Sequence, residues 1–152
     1  MKLFLPADLR GRIEDEARAA FPRESCGLIG GTCEGGEAHA IVLYPARNIA
    51  KRADRFEIAP EDHFAALKAA RKNGCDVIGC YHSHPNGKAE PSATDQAGAE
   101  EENFLWLIAA LGRMDGPVTL AVFVYSAAGF LLADLSDAVG ADLVTSSEKA
   151  RS

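Results

Sequence analysis

Long apolar runs are missing from this chain. No stretch approaches the roughly 20 apolar residues that a membrane helix needs. The opening Met1-Lys2-Leu3-Phe4-Leu5-Pro6 lacks the apolar core and small-residue cleavage site of a secretory signal. Positive charge is in short supply as well: 16 Lys and Arg stand against 22 Asp and Glu, a net charge of −6. That balance repels phosphate backbones and anionic headgroups, so neither nucleic acid nor a membrane surface is an expected partner. The four cysteines, at 26, 33, 75 and 80, form no C-x-x-C pair. They read as free thiols of a cytoplasmic protein, mostly filling core space. Internal repeats and low-complexity segments are absent too.

What remains is the composition of one ordinary globular domain, 47% hydrophobic and 25% charged over 152 residues. The domain is expected over residues 1–136, followed by a polar, frayed tail at 137–152. Leu9, Ile13, Ala17 and Ala20 recur at helical spacing, which predicts a helix over 8–21, stopped by Pro22. Strands are expected at Glu24–Ile29, ending in Gly30-Gly31, and at His39–Tyr44, returning from a Gly35-Gly36 turn. A short strand is expected at Arg55–Ile58. A second helix should run from Pro60 to Asn73-Gly74 with Phe64 and Leu67 facing inward.

Asp76–His82 predicts a buried strand ending before Pro85, and 93–102 has helix formers. Phe104–Leu111 fits either a continuation of that helix or a strand buried on both faces. Val118–Tyr125 and Phe130–Leu135 read as a hairpin around Ala127-Ala128-Gly129. Helices alternating with strands predict an α/β fold, a layered α/β/α domain.

The informative stretch runs from Tyr81 to Asp95. Side chains alternate along a strand, so His82 and His84 project from one face, roughly 6–7 Å apart along the backbone. Asp95 falls in the first turn of the next helix, where a carboxylate suits the helix dipole. Two imidazole nitrogens and one carboxylate oxygen make three metal ligands. A catalytic zinc needs three protein ligands and a vacant fourth position for water. Taken singly, each histidine reads as an ordinary surface or core residue; the spacing is what lifts the set above that reading.

His82-Ser83-His84-Pro85, six residues, Ser92, two residues and Asp95 together resemble the JAMM (MPN-plus, Mov34/PAD-type) zinc metalloprotease signature. Glu24, in Arg23-Glu24-Ser25-Cys26-Gly27, matches the glutamate which that family carries on an early strand. The resemblance extends over residues 1–135 and is to the compact prokaryotic type. It implies a mixed, mostly antiparallel sheet flanked by helices, as in cytidine deaminases. It also implies one Zn2+ per chain on His82, His84 and Asp95, lowering the pKa of bound water towards about 7. Glu24 would then be the general base and Ser92 the donor to the developing oxyanion, beside its alternative role as a helix cap. Tyr81 and Ser83 should face away from the ligands. Cys80 shares their face, but a fourth protein ligand would close the site, so it is expected to pack beneath the metal near Cys26.

The substrate implied by the resemblance is a peptide or isopeptide bond after the Gly-Gly terminus of a ubiquitin-like or sulfur-carrier protein. The competing reading is a zinc-binding interaction module of the same fold with little turnover. A nucleobase deaminase would need His-x-Glu and Pro-Cys-x-x-Cys, which are missing. A DNA-repair-associated relative sits badly with the acidic charge.

Overall fold

The computed structural model describes residues 1–136; the tail expected over 137–152 lies outside the described residues. Strand β1 (Lys2–Phe4) leads into helix α1 (Ala7–Ala20), then β2 (Cys26–Glu34), β3 (Glu37–Ala46) and α2 (Pro60–Lys72). Strand β4 (Asp76–His84), the short helix α3 (Ala93–Gly98), β5 (Leu105–Ala110), β6 (Thr119–Ser126) and β7 (Gly129–Ser136) complete it. The strands form one mixed sheet in the order β1-β3-β2-β4-β5-β6-β7. Four of its neighbouring pairs are antiparallel, while β4 runs parallel to β5. The expected α/β architecture of a mixed sheet flanked by helices holds. The sheet also closes on itself, because β1 pairs in parallel with β3 on one side and β7 on the other.

Alternation along the strands sorts the core into two clusters. Ile29, Tyr81, Leu105, Leu107 and Ala109 pack with Leu9, Ile13 and Ala17 of α1. Leu28, Cys80 and Trp106 point the other way and pack with Ala66 of α2. The register fixes this split: Leu28 lies opposite Cys80, which in turn lies beside Trp106. All six residues of β5 are buried, which resolves the 104–111 segment as a strand covered on both faces.

Several expectations are corrected. The strand after Pro22 does not include Glu24 and does not end at Gly30-Gly31; β2 continues to Glu34. The strand runs straight through those glycines, and the register slips by one residue there against both neighbours, where Ile41 of β3 and Ile78 of β4 are the extra, bulged residues. A Cβ at Gly31 would run into the His39 carbonyl, so only glycine lets the strands approach. Arg55–Ile58 is not a strand but an extended segment with one bridge, Asn48 to Ile58.

Helix α2 buries Ala66 and Ala70, not Phe64 and Leu67, which are 63% and 41% exposed. Small alanines let the helix settle close to the sheet, and that rotates the larger side chains outward. Helix α3 is six residues rather than ten. No helix among the described residues is long and apolar enough to cross a membrane.

Candidate metal and active site

Strand β4 lies inside the sheet, with Cys26 and Ile108 flanking His82. That position buries His82 and His84 almost completely, at 0% and 3% exposure. Both imidazoles turn to the α2 face. Tyr81 and Ser83 turn to the other, as alternation requires: Tyr81 donates its hydroxyl to Glu16 Oε1 at 2.8 Å. Ser83 Oγ accepts the Ser25 amide at 2.7 Å.

After β4 the chain turns through Pro85-Asn86-Gly87 and enters α3. Ser92 caps that helix: its Oγ accepts the Asp95 amide at 3.0 Å, and its own amide donates to Asp95 Oδ2 at 2.9 Å. This reciprocal capping box fixes Asp95 at the third helical position. It leaves the carboxylate, 4% exposed, facing the histidines.

Three donor atoms converge there. His82 Nε2 and His84 Nε2 are 2.9 Å apart, and Asp95 Oδ2 lies 3.1 and 3.0 Å from them. Hydrogen bonding alone does not account for such a triangle, because an N–H on an imidazole points along one direction only. In the neutral ring His84 Nδ1 donates to the Lys88 carbonyl at 2.9 Å, which leaves the Nε2 lone pair facing the triangle. A tetrahedral zinc with bonds of 2.0–2.1 Å separates its ligands by roughly 3.3 Å. The observed spacing is slightly tighter than that, so the donor set fits a small divalent cation. Burial keeps the His82 ring neutral by pushing its pKa down, against the pull of the Asp95 charge. Burial alone would raise Asp95, but bonds from both histidines and the Ser92 amide hold it well below the usual carboxylate range.

Glu24 approaches from the connection before β2. Its carboxylate and the two imidazoles offer ligand atoms that all lie within 4.8 Å of one another. Burial pushes its carboxyl up to about 7, with the His84 imidazole pulling the other way. Glu24 Oε1 is buried with no hydrogen-bond partner among the described residues. A carboxylate so poised, beside a cation site, suits proton exchange near neutrality.

Two cleft regions meet the site. An apolar one of about 340 Å³ is lined by Leu28, Phe56, Cys80, Phe104, Trp106 and Asp95. A more open one of about 500 Å³ includes Glu16, Arg23, Glu24, Ser25 and Asn48. Cys80 lines the first but is fully buried, and burial raises its thiol well above the ordinary range, so it presents no thiolate. The Cys26 thiol, pushed up to about 12 by burial, points at the Ala46 carbonyl 3.7 Å away. All four cysteines are free.

The structure therefore brings together His82, His84, Asp95 and Glu24, with Ser92 behind Asp95. Two residues had no signal in the sequence. Phe56 stacks on His82 with ring centroids 4.3 Å apart. Asn48 binds the Glu24 carbonyl at 2.9 Å.

Comparison with known proteins finds a family and relatives for the chain. The family model for prokaryotic homologues of the JAB domain matches residues 6–123. The chain is 34% identical over 119 residues to the desampylase of Haloferax volcanii, covering 74% of this chain and 84% of that one. It is 31% identical over 85 residues to the desampylase of Pyrococcus furiosus, covering 56% of this chain and 58% of the relative. A solution structure of a Desulfitobacterium hafniense protein superposes with a TM-score of 0.80 at 29% identity, covering 89% of this chain and 91% of that one. By its sequence, its fold and the constellation on β4 and α3, the chain belongs to the prokaryotic branch of the JAB (JAMM) family.

Proposed function

We propose that this protein is a zinc metallopeptidase that hydrolyses the peptide or isopeptide bond after the Gly-Gly terminus of a ubiquitin-like or sulfur-carrier protein. The observation that carries this reading is the triangle of His82 Nε2, His84 Nε2 and Asp95 Oδ2, with edges of 2.9–3.1 Å, beside a buried glutamate. It is read as a cytoplasmic enzyme with one zinc per chain. The desampylase relatives support the substrate class.

In this reading His82, His84 and Asp95 hold the ion, which when bound supplies Lewis acidity to a water and to the scissile carbonyl. Glu24 accepts the proton of the attacking water at its carboxylate and returns it to the leaving amine. Its carboxyl near 7 suits both directions of that transfer at neutral pH. Ser92 Oγ uses an acceptor lone pair for the Asp95 amide. Its hydroxyl proton is then left to donate to the oxyanion formed as the carbonyl is attacked. The clefts beside Asp95 and Glu24 give room for chain on both sides of the bond.

The test combines metal analysis with chelator-sensitive cleavage of a Gly-Gly-linked adduct by the wild type and Glu24→Gln. Stoichiometric zinc in both proteins, with cleavage lost by about 10²-fold or more in Glu24→Gln, supports the peptidase. Undiminished cleavage by Glu24→Gln sinks the assignment of the base. Zinc without any turnover in the wild type favours the interaction module.

A further inference from the structure

We propose that Asn48 is a positioning residue that holds the Glu24 backbone, and so aims its carboxylate. This rests on the peptidase reading given above. Glu24 belongs to no strand; it sits in the connection between the Pro22 turn and β2. Its Oε1 is buried without a partner, so no hydrogen bond to that oxygen fixes the direction of the carboxylate. The direction is set instead by the backbone that carries it, and that backbone has two ties. One is the reciprocal pair in which Ser83 Oγ accepts the Ser25 amide at 2.7 Å and the Ser83 amide donates to the Ser25 carbonyl at 3.0 Å. The other is Asn48, whose Nδ2 donates to the Glu24 carbonyl at 2.9 Å.

Asn48 is suited to this by having no capacity left over. A carboxamide offers two donors and two acceptor lone pairs. The second donor goes to the Arg55 carbonyl at 3.1 Å. Oδ1 accepts from the Ala50 amide at 2.9 Å and the Glu57 amide at 3.0 Å. The side chain is thus locked by the 49–57 loop, itself fastened by main-chain bonds from Ile49 to Glu57 and from Ala59 to Arg47. It presents its one outward donor to Glu24 in a fixed direction. A misplacement of about 1 Å in a catalytic group costs on the order of 10² in rate, so a rigid tie of this kind bears on turnover. Aspartate retains both acceptors and loses both donors; alanine loses all four bonds.

The experiment measures kcat, KM and zinc content for Asn48→Ala and Asn48→Asp, each in the wild-type and Glu24→Gln backgrounds, with a Gly-Gly-linked adduct as substrate. Acting through Glu24, each Asn48 variant lowers kcat by about 10–100-fold with KM and zinc content nearly unchanged. In the Glu24→Gln background the same change costs less than about 3-fold, because the group it positions is already gone. In the metal-free protein, exchange of the Ser25 amide accelerates by about 10-fold in Asn48→Asp, which keeps the ties to the Ala50 and Glu57 amides should the alanine variant not fold. An equal loss of kcat in both backgrounds, or unchanged kcat and exchange in folded Asn48→Asp, overturns the proposal and leaves the peptidase reading standing. An unimpaired Glu24→Gln enzyme overturns both this proposal and the assignment of Glu24 as the base.

Discussion

The Phe56 ring lies against the imidazole of His82, with centroids 4.3 Å apart and planes 23° from parallel. Trp106 meets the same imidazole edge-on at 5.8 Å. Held between two aromatic rings, the His82 imidazole is kept dry and oriented although its Nδ1 has no hydrogen-bond partner among the described residues. In the proposed zinc site this aromatic packing would take the place of the carboxylate or carbonyl that usually orients a metal-binding histidine. Phe56→Ala should therefore weaken zinc binding by about 10-fold, read by competition with a chromogenic chelator, while Phe56→Leu should recover part of the loss. Equal affinity in all three proteins would show that the ring merely covers the site.

Asp95 both caps α3 and completes the donor triangle. Asp95→Asn keeps a side-chain acceptor for the Ser92 amide but removes the charge. Zinc affinity is expected to fall by more than about 100-fold, beyond what loss of a supporting residue costs, with the helix retained. Chelation of the wild type should lower its melting temperature, and chelation of Asp95→Asn should not.

Stability of the metal-free protein should depend on pH through Glu24. Its folded pKa, about 7, lies above the ordinary carboxyl value of 4.5. Its contribution is thus fully present below about 4.5 and is lost as pH rises through about 7, where a buried charge appears. Denaturant unfolding at pH 5 and pH 8 should show wild type losing stability across that step and Glu24→Gln losing less. Glu16 is raised as well, chiefly by burial, but stays constant in the comparison. Asp95, shifted downward, acts only at more acid pH.

Gly27 faces the phenol of Tyr81, and a Cβ there would collide with the ring. Gly27→Ala should cost about 1–3 kcal/mol by overpacking. Tyr81→Phe, which loses only the bond to Glu16, should cost about 1 kcal/mol. Chemical denaturation separates the two, and zinc content should stay constant in both because Tyr81 points away from His82 and His84.

The legible part of the site is the part encoded locally. His82 and His84 share a face because a strand has a period of two, and Ser92 with Asp95 spells a capping box within one helical turn. Glu24 was legible only by resemblance, and it proves to lie ahead of its strand rather than on it. Asn48 and Phe56 were silent: an asparagine in a loop gains meaning only when two separate backbone segments, at Glu24 and at 55–57, converge on it. Phe64 and Leu67 misled, because helical spacing identifies an apolar stripe but not whether alanines will claim the interface. Strand β1, at three residues, is too short to show any period, so nothing announced the closure of the sheet.

That closure governs how the protein is made. Lys2 pairs with Asp134, and Met1 accepts the Asp134 amide at its carbonyl. A chain synthesised from its amino terminus therefore holds its first strand unpaired on one side until almost the whole domain has emerged. The contact with the longest separation in sequence is among the last that can form, which makes folding slow and cooperative. Strand β4, near the middle of the chain, acquires its neighbour β5 before the ring shuts. Assembly of the site is thus separable in time from completion of the barrel.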